Sequence, residues 1–293
     1  MANLRDIKTR IKGVQNTQQI TNAMKMVAAA KLRRAQENVI NARPYARQIS
    51  SLLSDLVTED LISENQFISQ RDLGSVAVVV VSADRGLCGA FNTNLIREAV
   101  RYINEELNPE NIKAHLFCIG KKGFEYFNKR NYPVFGKRIG LFSSLGYNSV
   151  PSIYEELIEG YSDGKYDKVI IVYNEFKSII NQRIVVEQFL PIPLSDNNNE
   201  GIKKATKDYI FEPNQNYIFN YLLPKHLKAQ LWRILLESNA SEQGAKMTAM
   251  DNATTNAKEL IRTLTIKYNK ERQAAITKEI LEIVSGANAL KSE

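Results

Sequence analysis

Near the start of the chain, apolar residues recur in alternating steps of three and four. From Leu4 the series visits Ile7, Ile11, Val14, Gln18, Thr21, Lys25, Ala28, Leu32, Ala35, Val39, Ala42, Ala46, Ile49, Leu53 and Leu56. Thirteen of these sixteen positions are apolar, which is the seam of a coiled coil rather than the broader face of a globular helix. The polar positions Gln18, Thr21 and Lys25 are consecutive. Beside them Ile20, Met24 and Val27 form an apolar stripe on a shifted face, so the seam is expected to drift there. Pro44 lacks a backbone donor and is expected to bend or break the helix. A helix of this length would span roughly 80 Å.

The end of the chain mirrors the beginning. All eight prolines lie at or before Pro224, leaving the last 69 residues without one. Leu227, Leu231, Ile234 and Leu235 start a helical stripe, and Leu260, Leu264, Ile276, Ile280, Ile283 and Val284 are read as its continuation. Between them, Ser238 to Ala257 is dominated by small residues, which allow two helix backbones to approach closely. The first seam is likewise Ala-rich from Ala28 to Ala46. Residues 1–60 and 214–290 are therefore expected to pair as a long antiparallel coiled coil. That pairing is taken to place the chain termini at opposite ends of a rod, the longer helix protruding alone.

Residues 70–210 follow a different pattern. Strands are expected at Val76–Ser82, Ala114–Ile119 and Lys168–Tyr173, with helices at Asn94–Leu107, Lys121–Arg130 and Tyr154–Tyr161. Ile179–Phe189 alternates and is read as a strand that pairs back on the third as a hairpin. This alternation predicts a small Rossmann-like α/β domain with a mainly parallel sheet. The polar run Ser195–Gly201 reads as a loop.

Composition narrows the class. With 293 residues, 44% of them hydrophobic and 24% charged, the chain is an ordinary folded protein of one or two domains. No run reaches the 18 or so apolar residues of a membrane span, and the first residues have no apolar signal core. Two cysteines, Cys88 and Cys118, make neither a disulfide framework nor a metal site and fit a reduced cytoplasmic setting. The charge is uneven. Residues 1–50 hold ten Lys or Arg against Asp6 and Glu37, while the whole chain is only +7. A basic helical arm suits nucleic acid, an anionic membrane surface or an acidic protein, and equally a merely solvated face.

Candidate chemistry is sparse. Asp84-Arg85-Gly86-Leu87-Cys88-Gly89 follows the first strand, where a dinucleotide fingerprint would lie, but has two of the three glycines that fingerprint needs. Neither it nor Gly120-Lys121-Lys122-Gly123 has the Lys-Ser or Lys-Thr of a phosphate loop. A Gly-rich strand-to-helix turn is the plainer reading. His115 and His226 have no Cys or carboxylate at ligand spacing, and Cys88 would be a nucleophile only with a base beside it. Glu105-Glu106 and Glu155-Glu156 diverge on helices. The first 44 residues contain no aromatic side chain for base stacking. No catalytic constellation, cofactor site or metal site is expected. A nucleotide-dependent enzyme and a basic coiled-coil adaptor for DNA or lipid stand as the rival functions.

Three stretches together resemble the gamma subunit of F-type ATP synthases: Ile11-Lys12-Gly13-Val14-Gln15-Asn16-Thr17-Gln18-Gln19-Ile20-Thr21 through Leu32, Ser82 through Asn92, and Tyr268-Asn269-Lys270-Glu271-Arg272-Gln273-Ala274 through Ala287. The resemblance covers the chain in order. It implies a non-catalytic rotor shaft, its paired termini inside a hexamer of alpha and beta subunits and its α/β domain against the epsilon subunit and the membrane c-ring. The shaft would transmit torque and couple proton flow to ATP synthesis, with nucleotides held by other subunits. By resemblance, Met24 and Lys25 meet an acidic loop of the beta subunit, and Arg272, Gln273 and Thr277 make polar contacts with beta subunits. Asp84, Arg85, Gly86 and Gly89 belong to a structural motif, and Asp208–Pro213 leads toward the foot. The regulatory insertion and cysteine pair of plant relatives have no counterpart here, so thiol control is not expected. The chain begins where mature family members begin, which implies no organelle presequence and a bacterial plasma-membrane enzyme.

Overall fold

The computed structural model describes residues 4–56, 65–179, 181–193 and 211–291, with side chains as far as 287. Its elements are α1 (Leu4–Leu56), β1 (Ser75–Val81), α2 (Phe91–Tyr102), β2 (Lys113–Ile119), α3 (Lys121–Asn128), β3 (Val134–Arg138), α4 (Val150–Ser162), β4 (Lys168–Phe176), β5 (Gln182–Leu190) and α5 (Gln215–Lys291). The chain divides into two compact units, residues 1–28 with 247–293, and residues 29–246. The expected loop Ser195–Gly201 lies outside the described residues, as do residues 57–60 of the expected first helix.

The first unit is a helix pair. On α1 the predicted seam is realised residue by residue: each position of the series is buried or partly buried, and most positions between are exposed. On α5 the matching series is 250, 254, 257, 261, 264, 268, 271 and 275, in steps of four and three. Thr21 meets Thr254 at 2.8 Å and Lys25 meets Asp251 at 2.6 Å, so numbers rise on one helix as they fall on the other. The pairing is antiparallel, and it brings the first turns of α1 and the last turns of α5 to the same end. The expectation that the termini lie at opposite ends was wrong: an antiparallel pair of terminal helices must start and finish at the same end, with α5 here running on past the start of α1.

Two further expectations are corrected. The seam does not drift at its polar positions. Ile20, Met24 and Val27 are 60%, 37% and 56% exposed, while Gln18, Thr21 and Lys25 stay on the seam because partners across it satisfy Thr21 and Lys25. On α5 only Leu264 of the later stripe is buried. Leu260, Ile276, Ile280, Ile283 and Val284 are exposed, because Leu260 sits one position off the seam and the rest lie beyond the start of α1 in this register.

In the second unit, α1 and α5 are again antiparallel. Arg43 reaches Glu237, and the Gln215 side chain donates to the Leu56 carbonyl at 2.8 Å. Pro44 does not break α1. It lies on an exposed face beside Ile40, which is 64% exposed, so water can take the carbonyl that the proline leaves unpaired.

The sheet order is β3-β2-β1-β4-β5, the first four strands parallel and β5 antiparallel to β4. β1 is central and wholly apolar after Ser75, as a strand covered on both faces must be. Val76, Val78 and Val80 face Leu95, Ala99 and Phe127 of α2 and α3. Ala77, Val79 and Val81 face Leu157 of α4 and Leu231 and Leu235 of α5. The hairpin β4–β5 is as expected, whereas β3 was not foreseen: Val-Phe-Gly-Lys-Arg is short, and its alternation covers only five residues at a sheet edge.

Gly120 opens α3 with φ +93°, and a Cβ there would lie 2.0 Å from the Ser82 carbonyl oxygen. Gly140 has φ +83° but open space around it. Gly120→Ala is therefore expected to cost well over the ~1 kcal/mol of a left-handed conformation alone, and Gly140→Ala close to that figure. Urea denaturation followed by circular dichroism measures both, and equal losses would contradict the close-approach argument.

Candidate functional site

The crevice beyond the carboxyl ends of the strands is where an open α/β sheet of this order receives a ligand. Here the chain fills it with its own helix. Ser238 and Ser241 of α5 donate to the carbonyls of Val81 and Asn174, at the ends of β1 and β4, at 3.4 and 3.0 Å. Ala245 packs against Ala83, Cys88 and Phe91 of the loop after β1. Small side chains on α5 are what permit this approach. They were read from sequence as helix–helix contacts, and in this unit they serve a helix–sheet contact as well.

Asp84 organises the loops instead of a nucleotide. Its carboxylate accepts hydrogen bonds from the backbone N–H groups of Lys121 (3.1 Å), Gly140 (2.7 Å) and Phe142 (3.2 Å). The loop after β1 is thereby tied to the N-terminus of α3 and to the turn after β3. Asn92 closes it from the other side, accepting from the Ala83 N–H at 2.9 Å. Arg85 and Gly86 are exposed, Gly89 adopts φ +58°, and Leu87 takes φ +64°. Of the predicted motif, then, Asp84 and Gly89 have a defined structural role, and Gly86 sits in open space.

The titratable groups of this unit are buried and structural. Cys88 and Cys118 are free and buried. Burial raises both thiols, Cys118 to about 12, with Glu242 adding to the rise at Cys88. Neither has the electropositive setting of a reactive cysteine. Glu242 pairs with Lys246, and burial holds its carboxyl above the usual range. Glu187 binds Arg233 at 2.6 Å and accepts from Gln230 and from the Tyr173 hydroxyl at 2.8 and 2.6 Å. Arg233 and Arg43 both reach Glu237, so this network links α1, β4, β5 and α5. His226 stands on α5 beside a cavity of about 450 Å³ with its Nδ1 buried and unpartnered, and burial lowers its pKa. Among the described residues no group of three or more His, Cys, Asp or Glu is placed to hold a metal.

The residues singled out as partner contacts fall in the first unit, in two separate places. Met24 is partly exposed, and Lys25 is engaged by Asp251 with a third of its side chain still exposed. Arg272, Gln273 and Thr277 are exposed on α5, 21 residues or more beyond Asp251, roughly 30 Å along the helix. Sequence reasoning missed Asp251 and Thr254, although the heptad steps through 250, 254 and 257 were there to be followed.

Asp84→Ala leaves three N–H groups without their acceptor, for an expected loss of about 2–3 kcal/mol, whereas Asp84→Asn keeps an acceptor and loses about half as much. Faster hydrogen exchange at the Gly140 and Phe142 amides is the local readout. Burial would raise the Glu187 carboxyl, but Arg233 and the donated hydrogen bonds outweigh it and hold the pKa below the ordinary value of 4.5. A carboxyl more acidic folded than unfolded contributes fully above that ordinary value and is lost as pH falls through its folded value. Acidification from about pH 5 to about pH 3 is thus expected to lower the melting temperature more in wild type than in Glu187→Gln.

A family model described as ATP synthase matches residues 3–290. The ATP synthase gamma chain of Chloroherpeton thalassium is 49% identical over 301 aligned positions, covering 99% of each chain. That of Prosthecochloris aestuarii is 50% identical, again with 99% of each covered. A chain in the cryo-EM structure of the Euglena gracilis mitochondrial ATP synthase (OSCP/F1/c-ring) is similar in fold, with TM-score 0.66 and 20% identity over 98% of this chain and 94% of that one. A chain of the Tetrahymena thermophila mitochondrial ATP synthase central stalk and c-ring aligns with TM-score 0.61 and 24% identity, covering 80% of this chain and 99% of that one.

Proposed function

The chain belongs to the ATP synthase gamma-chain family, and we propose that it is the rotor shaft of a bacterial F-type enzyme, passing torque between a membrane c-ring and a catalytic hexamer of alpha and beta subunits. It is a non-catalytic subunit of a membrane-associated complex. No described helix is long and apolar enough to cross a membrane, so its membrane association runs through partners, the c-ring and the epsilon subunit, at the cytoplasmic face of the plasma membrane.

One observation carries this reading: an antiparallel pair in which one helix outruns the other. In the register of Thr21–Thr254 and Lys25–Asp251, Leu4 stands opposite a position close to Glu271. The later turns of α5 have no α1 residue beside them. They expose Ile276, Ile280, Leu281 and Ile283, a surface suited to a surrounding sleeve. The rivals fare worse. A nucleotide enzyme would need the crevice that α5 fills, and a DNA-binding arm would leave the exposed apolar turns of α5 without a purpose.

The proposed beta-subunit contacts are Met24 and Lys25 in one patch and Arg272, Gln273 and Thr277 in the other. The test uses the complex extracted in mild detergent through a tag on this chain, assayed for ATPase activity and for dye-monitored proton pumping in vesicles. Alpha and beta subunits with ATPase activity are expected to co-purify, and recovery of this chain alone would end the proposal. Lys25→Glu is expected to weaken pumping relative to hydrolysis. Exchanging the pair (Lys25→Asp with Asp251→Lys) restores an exposed ion pair worth under about 1 kcal/mol but moves the cation. Pumping should stay impaired, and full recovery would show that the internal ion pair is the whole role of Lys25.

A further inference from the structure

Two helical stretches of the second unit carry cations and no acids. Between Glu37 and Asp55, α1 contributes Arg43 and Arg47, and from Gln215 to Leu236, α5 contributes Lys225, Lys228 and Arg233. Arg43 and Arg233 are held by Glu237 and Glu187. Among the described residues, Arg47, Lys225 and Lys228 have no carboxylate partner. Lys225 lies instead over the ring of Tyr221, with its Nζ 3.8 Å from the centroid. In the antiparallel register fixed by Arg43 and Glu237, Tyr45 of α1 lies alongside the turn of α5 that carries Trp232. Tyr147 packs edge-on against Trp232 with ring centroids 5.8 Å apart. Three tyrosines from three segments of chain thus flank the stretch of α5 from Tyr221 to Trp232, and Tyr45, Tyr147 and Tyr221 remain 54%, 45% and 57% exposed.

A solvated helix face does not need this composition. Tyrosine offers large contact area with little rotamer entropy to lose, and a hydroxyl that can donate to an anion. Aromatic residues mark interface cores, where surrounding charge is otherwise thin. Cations without neighbouring carboxylates give the patch one sign, and that sign selects the partner. We propose that Tyr45, Tyr147, Tyr221 and Lys225 form a docking surface for an acidic segment of a partner polypeptide, its carboxylates meeting Lys225 and the tyrosine hydroxyls while its apolar groups pack on the rings. The surface is distinct from the contacts proposed for Met24, Lys25 and the end of α5, which belong to the first unit. It rests on the chain working inside an assembly, though not on which subunit brings the acids.

The test places p-benzoylphenylalanine at Tyr45, purifies the assembled complex, irradiates it and identifies the linked peptide by mass spectrometry. The expected product joins Tyr45 to a peptide of another subunit with clustered Asp or Glu, and Lys225→Glu lowers its yield about tenfold or more through like-charge repulsion. A linkage to this chain itself, to lipid or nucleic acid, or to a peptide without acids overturns the proposal, as does a yield indifferent to Lys225→Glu. An unchanged melting profile of the Lys225→Glu chain separates lost docking from lost folding. Recovery of an active complex with no such cross-link defeats this proposal and leaves the shaft reading standing.

Discussion

The second unit depends on one packing constraint: between Leu231 and Ala245, α5 is buried on nearly every side. A helix can be buried all round only if its side chains suit each neighbour in turn. Leu231, Ile234 and Leu235 enter the apolar layer under β1 and β4. Ser238 and Ser241 then donate their hydroxyls to the carbonyls of Val81, the last residue of β1, and Asn174 near the end of β4, which satisfies two buried serines against the sheet. Bulkier residues would hold the helix off the sheet and lose both hydrogen bonds. The same close approach removes the crevice in which related folds hold a nucleotide, and it sets Glu242 beside the loop of Asp84 and Cys88, a poor place for a phosphate.

In the first unit the constraint is different. Its seam contains Ala28, Ala257, Thr21 and Thr254, which bury less apolar area than leucines would and so yield less stability per turn. What they gain is proximity and register. The Thr21–Thr254 contact is buried; each hydroxyl also has a carbonyl of its own helix in reach, Gln18 for Thr21 and Met250 for Thr254, so a slip along the pair costs the one cross-helix bond, about 1 kcal/mol. A polar pair in an apolar seam is a known way to fix alignment at some expense in stability. Lys25 and Asp251, being half in water, add little energy and reinforce the same alignment.

Much of this was legible in sequence because a heptad repeat survives local substitutions. Gln18, Thr21 and Lys25 occupy seam positions although their chemistry argues against it. Reading chemistry ahead of period produced the expected drift toward Ile20, Met24 and Val27. The period was right because the partners that satisfy Thr21 and Lys25 lie more than 200 residues away, where no local rule reaches. The same limit explains Asp84. One aspartate in a Gly-containing loop looks like a fragment of a ligand motif, and only the fold brings the amides of Gly140 and Phe142 to it. β3 escaped because five residues at a sheet edge carry too little pattern. For the contacts proposed at Met24, Arg272, Gln273 and Thr277, the structure offers exposure alone.

The last turns of α5 state the strongest demand for those partners. Past Glu271 the helix has no α1 residue opposite it in the register of the seam, yet Ile276, Ile280 and Ile283 follow each other at steps of four and three, and Leu281 and Val284 flank them. A lone amphipathic helix of this length is marginal in water, where propensity contributes little and an unburied apolar stripe contributes nothing. A stripe kept at coiled-coil spacing beyond the end of its own partner has a use only if another surface covers it. Had that covering been permanent and specific, large residues and fixed ion pairs would serve best, as in an obligate interface. Instead many side chains around the stripe are short, Ala274, Ala275, Thr277, Ser285, Gly286 and Ala287, and the ion pair among them, Lys278 with Glu282, joins two residues of α5 itself. That mixture gives enough apolar contact to keep the helix ordered inside a sleeve and few groups that would lock it at one angle, which is what a turning shaft requires of its tip.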